Sequence, residues 1–336
     1  MMRDVLVPPD IRLGLPPAGS ALLDAAGTTM GTSWSARLML PPGARGDVAA
    51  LLQGELDEIV AQMSHWESDS LLARYNRAGA GSWHALPPQF YEVVEHAMAV
   101  ALESDGAYDP FAGELVNLWG FGPTRRYDQE GFHAPSCGAV GAVLARRAAR
   151  QPELDRQRRR LLQPGGLLLD LSSVAKGYAV DRLALCLERL GVHHYLVEVG
   201  GELRGAGVKA DGQPWWVELE GVPDTQQHAG GQAVAALHGL AVATSGDYRR
   251  YFHQGARRVS HTLDPRTGYP ISNDVASVTV LAPTCMAADA VSTALTVLGL
   301  EAGIAFADAR NLAARFLLRR PAGLQSVCSS AWRALL

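Results

Sequence analysis

Asp289 and Thr293 stand four residues apart in the stretch CMAADAVSTALTVLG, 285–299. On a helix that spacing stacks a carboxylate and a hydroxyl on one face. Their neighbours are Ala288, Ala290, Ser292 and Val297, not the Lys, Glu or Arg of a water-facing surface. One carboxylate with one neutral oxygen suits a hard cation such as Mg2+, supplemented by waters, backbone carbonyls and a substrate phosphate. Taken alone, the pair reads first as an ordinary solvated helix face. A second candidate is LDLSSVAKGYAVD, 169–181, where a strand, a small polar turn and a helix follow one another. The N–H groups and positive dipole end of a helix opening at Ser172-Ser173 suit a pyrophosphate, with Lys176 adding charge. It is not a Walker loop, and many plain strand-to-helix turns look the same.

The elements that would carry these residues are legible as periodic segments. Pro283-Thr284 ends an expected strand, Val275 to Ala282, and Thr284 offers an N-cap. Ala287, Val291, Ala294, Leu295 and Leu298 form the apolar stripe of a core helix ending at Gly299. Upstream, Asp264-Pro265 and Thr267-Gly268 with Pro270 predict a tight connection over 264–270, which places His261 at a strand end. LLLDL, 167–171, reads as a buried strand, and Ala175, Ala179, Leu183, Cys186 and Leu190 as the stripe of the helix after it.

Earlier in the chain, a Pro-rich segment without period predicts a flexible arm over 1–26, with order beginning near Gly27 and a single unit over 27–336. A strand follows to Leu40, a helix capped by Asp47 runs to about Ser64, and another spans Gln89 to Ser104. Trp66 and Tyr75 either flank a planar ligand or fill a core. DGAYDPFAGELVNLWGFGP, 105–123, is too rich in Gly and Pro for long regular structure. It is either a binding loop around Asp109, Asn117 and Trp119 or a packed connector plugged by Trp119 and Phe121. Further strands are expected over 193–207, 215–221 and 233–245, and a helix, a strand and a short amphipathic piece over 301–336.

Composition narrows the function classes. The net charge of −4 gives no global basic field, so no nucleic-acid partner is indicated. Seven Arg between 146 and 160 lack interleaved aromatics and predict a solvated face. Four scattered cysteines, Cys137, Cys186, Cys285 and Cys328, show no metal-ligand spacing and read as free thiols. The short GxG near 200 has no acidic partner at the right distance, which sets aside a Rossmann fold. No export signal and no transmembrane segment are expected, which points to a cytoplasmic protein as the sequence stands, or a periplasmic one if a signal precedes it.

Five separated stretches line up in order: MGTSW at 30–34, MSHWESDSLLARYN at 63–76, DGAYDPFAGELVNLWGFG at 105–122, LDLSSVAKGYAVD at 169–181, and SGDYRRYF, SHTLDPRTGYP and AAD with a following Thr at 245–293. Together they resemble the FAD:protein FMN transferase family, also called the ApbE or thiamine-biosynthesis lipoprotein family. The resemblance covers roughly 28–318 and implies an α+β fold of mostly antiparallel sheets flanked by helices, related to the T-fold. It implies Mg2+-dependent transfer of FMN from FAD to a Thr or Ser hydroxyl of an acceptor flavoprotein subunit, with release of AMP. By resemblance the metal ligands are Asp289, Thr293 and the backbone carbonyl of Ala175. The flavin-contacting residues are Met30, Trp66, Ala107, Tyr108, Asp109, Ser172 and Tyr178. The histidine of the family's S-H-x-x-D-P motif falls on His261, the expected general base, with Asp264 orienting it or supporting the metal shell.

Two features depart from the family pattern. Many members are exported lipoproteins, whereas here no cysteine precedes Cys137, and Glu67-Ser68 stands where the family usually has Asp-Pro. Two other readings share the same residues. Water in place of the acceptor hydroxyl would give an FAD pyrophosphatase, and loss of catalysis would leave a flavin-binding protein.

Overall fold

Long β-branched and apolar stretches that alternate or run fully buried account for most of the architecture. The computed structural model describes residues 4–8, 10–11, 14–44, 46–222, 233–255 and 257–336. The fold is α+β with mostly antiparallel sheets, and the chain divides into two compact units, 1–58 with 174–246 and 274–336, and 59–173 with 247–273.

The first unit is built on an eight-stranded sheet. Its order is Gly323–Cys328, Ala313–Arg320, Val275–Ala282, Leu240–Gly246, Glu202–Ala206, Tyr195–Val199, Thr32–Leu40 and Ala21–Thr29, every pair antiparallel. Val275–Ala282 is buried along its whole length, as its continuous apolar run predicts. Helices Ala175–Arg189 and Cys285–Ala309 pack on this sheet and on each other. The second helix is apolar nearly all round because it is covered on more than one side. By length and composition alone it would pass as a membrane span, which the reading of the sequence did not anticipate, yet over half of its most apolar stretch is buried inside the protein. Gly299, at φ 77 and ψ −174, breaks it where a helix end was expected, and a second helical segment then continues to Ala309.

Order also begins earlier than Gly27. Ala21–Thr29 pairs residue by residue with Thr32–Leu40, and Asp4–Leu6 pairs in parallel with Ala233–Leu237. The alternation in ALLDAAGTT was too weak to read without its partner strand; residues 1–3, 9 and 12–13 of the expected arm lie outside the described residues.

The second unit holds a small sheet of Ser82–Ala85, Arg160–Gln163 and Leu154–Asp155, two hairpins, and the helices Leu71–Arg77, Pro88–Glu103, Gly113–Leu118 and Cys137–Ala148. The hairpins join Tyr251–Gln254 to Arg257–Ser260 and Leu263–Asp264 to Tyr269–Pro270. Leu115, Trp119, Phe121, Val140, Val143, Val259 and Leu263 form one of its cores, so Trp119 and Phe121 do plug the 105–123 segment, which carries the short helix Gly113–Leu118. LLLDL is not a strand: only Leu168 makes a bridge, to Ala112, although Leu167, Leu169 and Leu171 are buried. An apolar run of five fixes burial and leaves backbone conformation open.

Candidate active site

In the first unit the start of the Cys285–Ala309 helix is held from outside. Thr284 accepts Ala287 N–H at 3.4 Å, and the Asp181 carboxylate, itself paired with Arg204 at 2.7 Å, accepts the N–H groups of Cys285 and Met286 at 3.0 and 2.8 Å. One turn on, Asp289 is 4% exposed. Its Oδ2 accepts the Gly177 N–H at 2.9 Å. The neighbouring helix starts at Ala175, not at Ser172, and its N-cap residue Val174 supplies no side-chain bond. Asp289 therefore satisfies one of the orphan donors of that helix. The approach needs glycine: a Cβ on residue 177 would lie 2.3 Å from the Cys285 carbonyl oxygen.

Thr293 follows on the same helix within a chain of hydroxyls. Ser292 donates to the Asp289 carbonyl at 2.9 Å, and Ser245 lies 2.8 Å from Ser292 Oγ and 2.9 Å from Thr293 Oγ1. Ser292 spends its one proton on the Asp289 carbonyl and so accepts from Ser245, while Thr293 Oγ1 has two acceptors in reach, Ser245 Oγ and, at 3.5 Å, the Asp289 carbonyl oxygen. Asp289 is thus joined to the first turn of the helix that opens at Ala175, with Thr293 one helical turn further along its own helix. Among the described residues no group of three His, Cys, Asp or Glu is placed to hold a metal ion. With one carboxylate and neutral oxygens, the donor set fits a hard cation that takes the rest of its shell from substrate and water. Lys176 is bound to the buried Glu202 at 2.5 Å, and Tyr178 is buried. Met30 sits at φ 49 and Gly31 at φ 72, the tight two-residue turn between the strands Ala21–Thr29 and Thr32–Leu40. A left-handed methionine is a costly backbone state that turns Met30 into a fixed tip.

The second unit gathers most of the remaining candidates. Trp66 is 44% exposed, so it is not core, and the Arg126 and Arg250 guanidinium carbons lie 6.0 and 5.9 Å from its ring. Ala107 and Tyr108 are buried. Asp109 accepts the Phe111 N–H at 2.8 Å through Oδ1 and the Arg147 guanidinium through Oδ2. Arg147 was expected on a solvated face; its side chain is only 11% exposed. The basic run hid this because charge alone says nothing of where a partner lies. Ser172 donates its N–H to Asp170 at 2.9 Å.

His261 follows the strand Arg257–Ser260. Its Nδ1 lies 3.0 Å from the Arg250 carbonyl oxygen, and its ring meets Phe121 edge-on with centroids 6.2 Å apart. A carbonyl oxygen only accepts, so Nδ1 is the donor in this contact. Asp264 is held by the turn it opens: Arg266 binds both carboxylate oxygens at 2.9 Å, and Gly268 N–H reaches the Asp264 carbonyl at 2.8 Å.

Residues that sequence reasoning did not single out include Ser245, Gly177, Asp181, His65, Asp170 and Arg147. The motifs contain most of them, but only their partners across the fold reveal what they do.

The first unit thus carries a buried carboxylate–hydroxyl pair on one helix, and the second an exposed Trp beside guanidinium groups. The chain belongs to the ApbE family, which it matches over residues 30–316. It is similar to the FAD:protein FMN transferase of Haemophilus influenzae, 35% identical over 94% of this chain and 91% of that protein. The Vibrio cholerae protein of the same name is 37% identical over 93% and 92%. Among solved structures, the apo form of the Pseudomonas stutzeri flavinyl transferase ApbE superposes with a TM-score of 0.83 at 36% identity, covering 94% of this chain and 97% of that one.

Proposed function

We propose that this chain is a Mg2+-dependent FAD:protein FMN transferase that moves FMN from FAD onto a Thr or Ser hydroxyl of an acceptor flavoprotein subunit. Family membership and relatives of that name support the reaction. The observation that carries the chemistry is the buried Asp289 carboxylate, fixed by Gly177 and one helical turn from Thr293.

Asp289, Thr293 and the Ala175 carbonyl would hold the cation, which when bound withdraws charge from the pyrophosphate. His261 Nε2 takes the proton of the acceptor hydroxyl as that oxygen attacks the phosphorus of the FMN half. The new O–P bond forms as the bond from that phosphorus to the AMP phosphate oxygen breaks, and the electron pair leaves with AMP. The Arg250 carbonyl holds the imidazole in the tautomer this requires. By resemblance to the family, the FAD contacts in this reading are Met30, Trp66, Ala107, Tyr108, Asp109, Ser172 and Tyr178, and Lys176 contributes only if its bond to Glu202 yields.

The test is incubation with FAD, Mg2+ and candidate acceptor subunits, followed by in-gel flavin fluorescence and acceptor mass. A fluorescent acceptor gaining the mass of FMN is the expected result. FMN and AMP appearing with the acceptor unmodified would instead identify a pyrophosphatase.

A further inference from the structure

One buried ion pair has no part in the chemistry above. His65 Nδ1 lies 3.2 Å from Asp170 Oδ1, and the two side chains are 10% and 9% exposed. Three stretches meet at this pair within the second unit. The His65 ring lies against Trp66, centroids 5.3 Å apart. Asp170 Oδ1 accepts the Ser172 N–H at 2.9 Å, while Asp170 N–H donates to the Pro110 carbonyl at 2.7 Å, next to Asp109. The loop is pinned once more by Asn76, which exchanges hydrogen bonds with Leu169 at 2.7 and 2.9 Å.

We propose that His65 is a positioning residue for FAD, locking the Trp66, Tyr108–Pro110 and Asp170–Ser172 stretches into one preorganised surface through its ion pair with Asp170. The inference rests on the reading that these stretches contact FAD. A buried carboxylate needs a compensating partner, and an imidazolium supplies both charge and a donor. Binding energy is then not spent on ordering three separate segments.

The charged groups facing His65 are Asp170, from the loop after the strand Arg160–Gln163, and Arg250, from the segment before the hairpin. Burial alone pushes the imidazole pKa down; the Asp170 charge and hydrogen bond outweigh it, against a smaller opposing push from Arg250, and hold the pKa above its ordinary value. Burial likewise pushes Asp170 up, and His65 with Ser172 hold it well below the usual carboxylate range. The sign follows. His65 is raised, so the pair is intact below the ordinary histidine pKa and is lost as pH climbs through the folded value.

FAD affinity measured by calorimetry between about pH 6 and 9 decides the matter. In the wild type, affinity should fall as pH rises. In His65→Gln, which keeps a donor and removes the titration, that slope should vanish, while kcat at saturating FAD stays within about twofold of wild type. His65→Leu, if it folds, should bind FAD about tenfold or more weakly at every pH, because Asp170 is left buried without its counter-ion. A wild-type affinity that is flat across the window, or a His65→Gln protein with the wild-type slope, overturns the proposal and leaves the flavin reading standing. Failure of the wild type to bind FAD at all would remove both.

Discussion

Gly177 donates its backbone N–H to Asp289 Oδ2 at 2.9 Å across 112 residues of sequence, joining the first turn of one helix to the second turn of another. The bond orients a carboxylate that is 4% exposed, and the absent Cβ of Gly177 is what allows the approach. Gly177→Ala should force the helices apart, because its Cβ would lie 2.3 Å from the Cys285 carbonyl oxygen. A loss of about 2–5 kcal/mol in denaturant unfolding, with activity lost in parallel, is the expected outcome. Wild-type stability in this variant would mean that the packing is looser than described.

Asp289→Ala removes the sole carboxylate of the proposed cation site, so Mg2+ binding and turnover should both collapse. Thr293→Ala should act more mildly, and added Mg2+ should restore part of its loss. Ser245→Ala offers a finer probe, since it removes the hydroxyl 2.9 Å from Thr293 Oγ1. Its Mg2+ dependence should move in the direction of Thr293→Ala. Normal activity of Asp289→Ala at low Mg2+ would end this assignment.

His261→Ala should leave FAD and Mg2+ binding near wild type and slow transfer by roughly 10²–10⁴-fold. Raising Mg2+ should rescue none of that loss, which separates a missing base from a poorly occupied cation site. Single-turnover flavinylation of an acceptor measures the step directly, and full activity would reassign the base.

Asp109 and Arg147 should prove coupled. The guanidinium is 11% exposed, is bound to Asp109 Oδ2, and its Nη1 is buried without a hydrogen-bond partner. Asp109→Ala therefore does two things: it removes an expected FAD contact and strands a buried cation. It should weaken FAD binding and lower the melting temperature together, while Asp109→Ala with Arg147→Met should recover stability without recovering affinity. Calorimetry and thermal melts on the two variants check this. Recovery of both quantities would make the pair purely structural.

The sequence by itself determined the elements whose period is strong and the family to which its motifs belong. The Val275–Ala282 strand, the helices after Asp47 and Thr284, and the break at Gly299 follow from burial period, capping chemistry and a residue that tolerates positive φ. Asp289 and Thr293 were legible as a pair because i and i+4 share a helix face. What only the tertiary structure decided is what each of them touches. LLLDL is buried without being a strand, its Leu169 and Asp170 held by Asn76, Pro110 and His65 from other segments, and the following helix starts at Ala175. Arg147 leaves its expected solvated face because Asp109, distant in sequence, offers a buried counter-charge. Residues 21–26 become a strand because Thr32–Leu40 supplies the ladder they lack alone. Local period is written in neighbouring residues, whereas a hydrogen-bond or charge partner is chosen by the fold, and one chain carries no local mark of that choice.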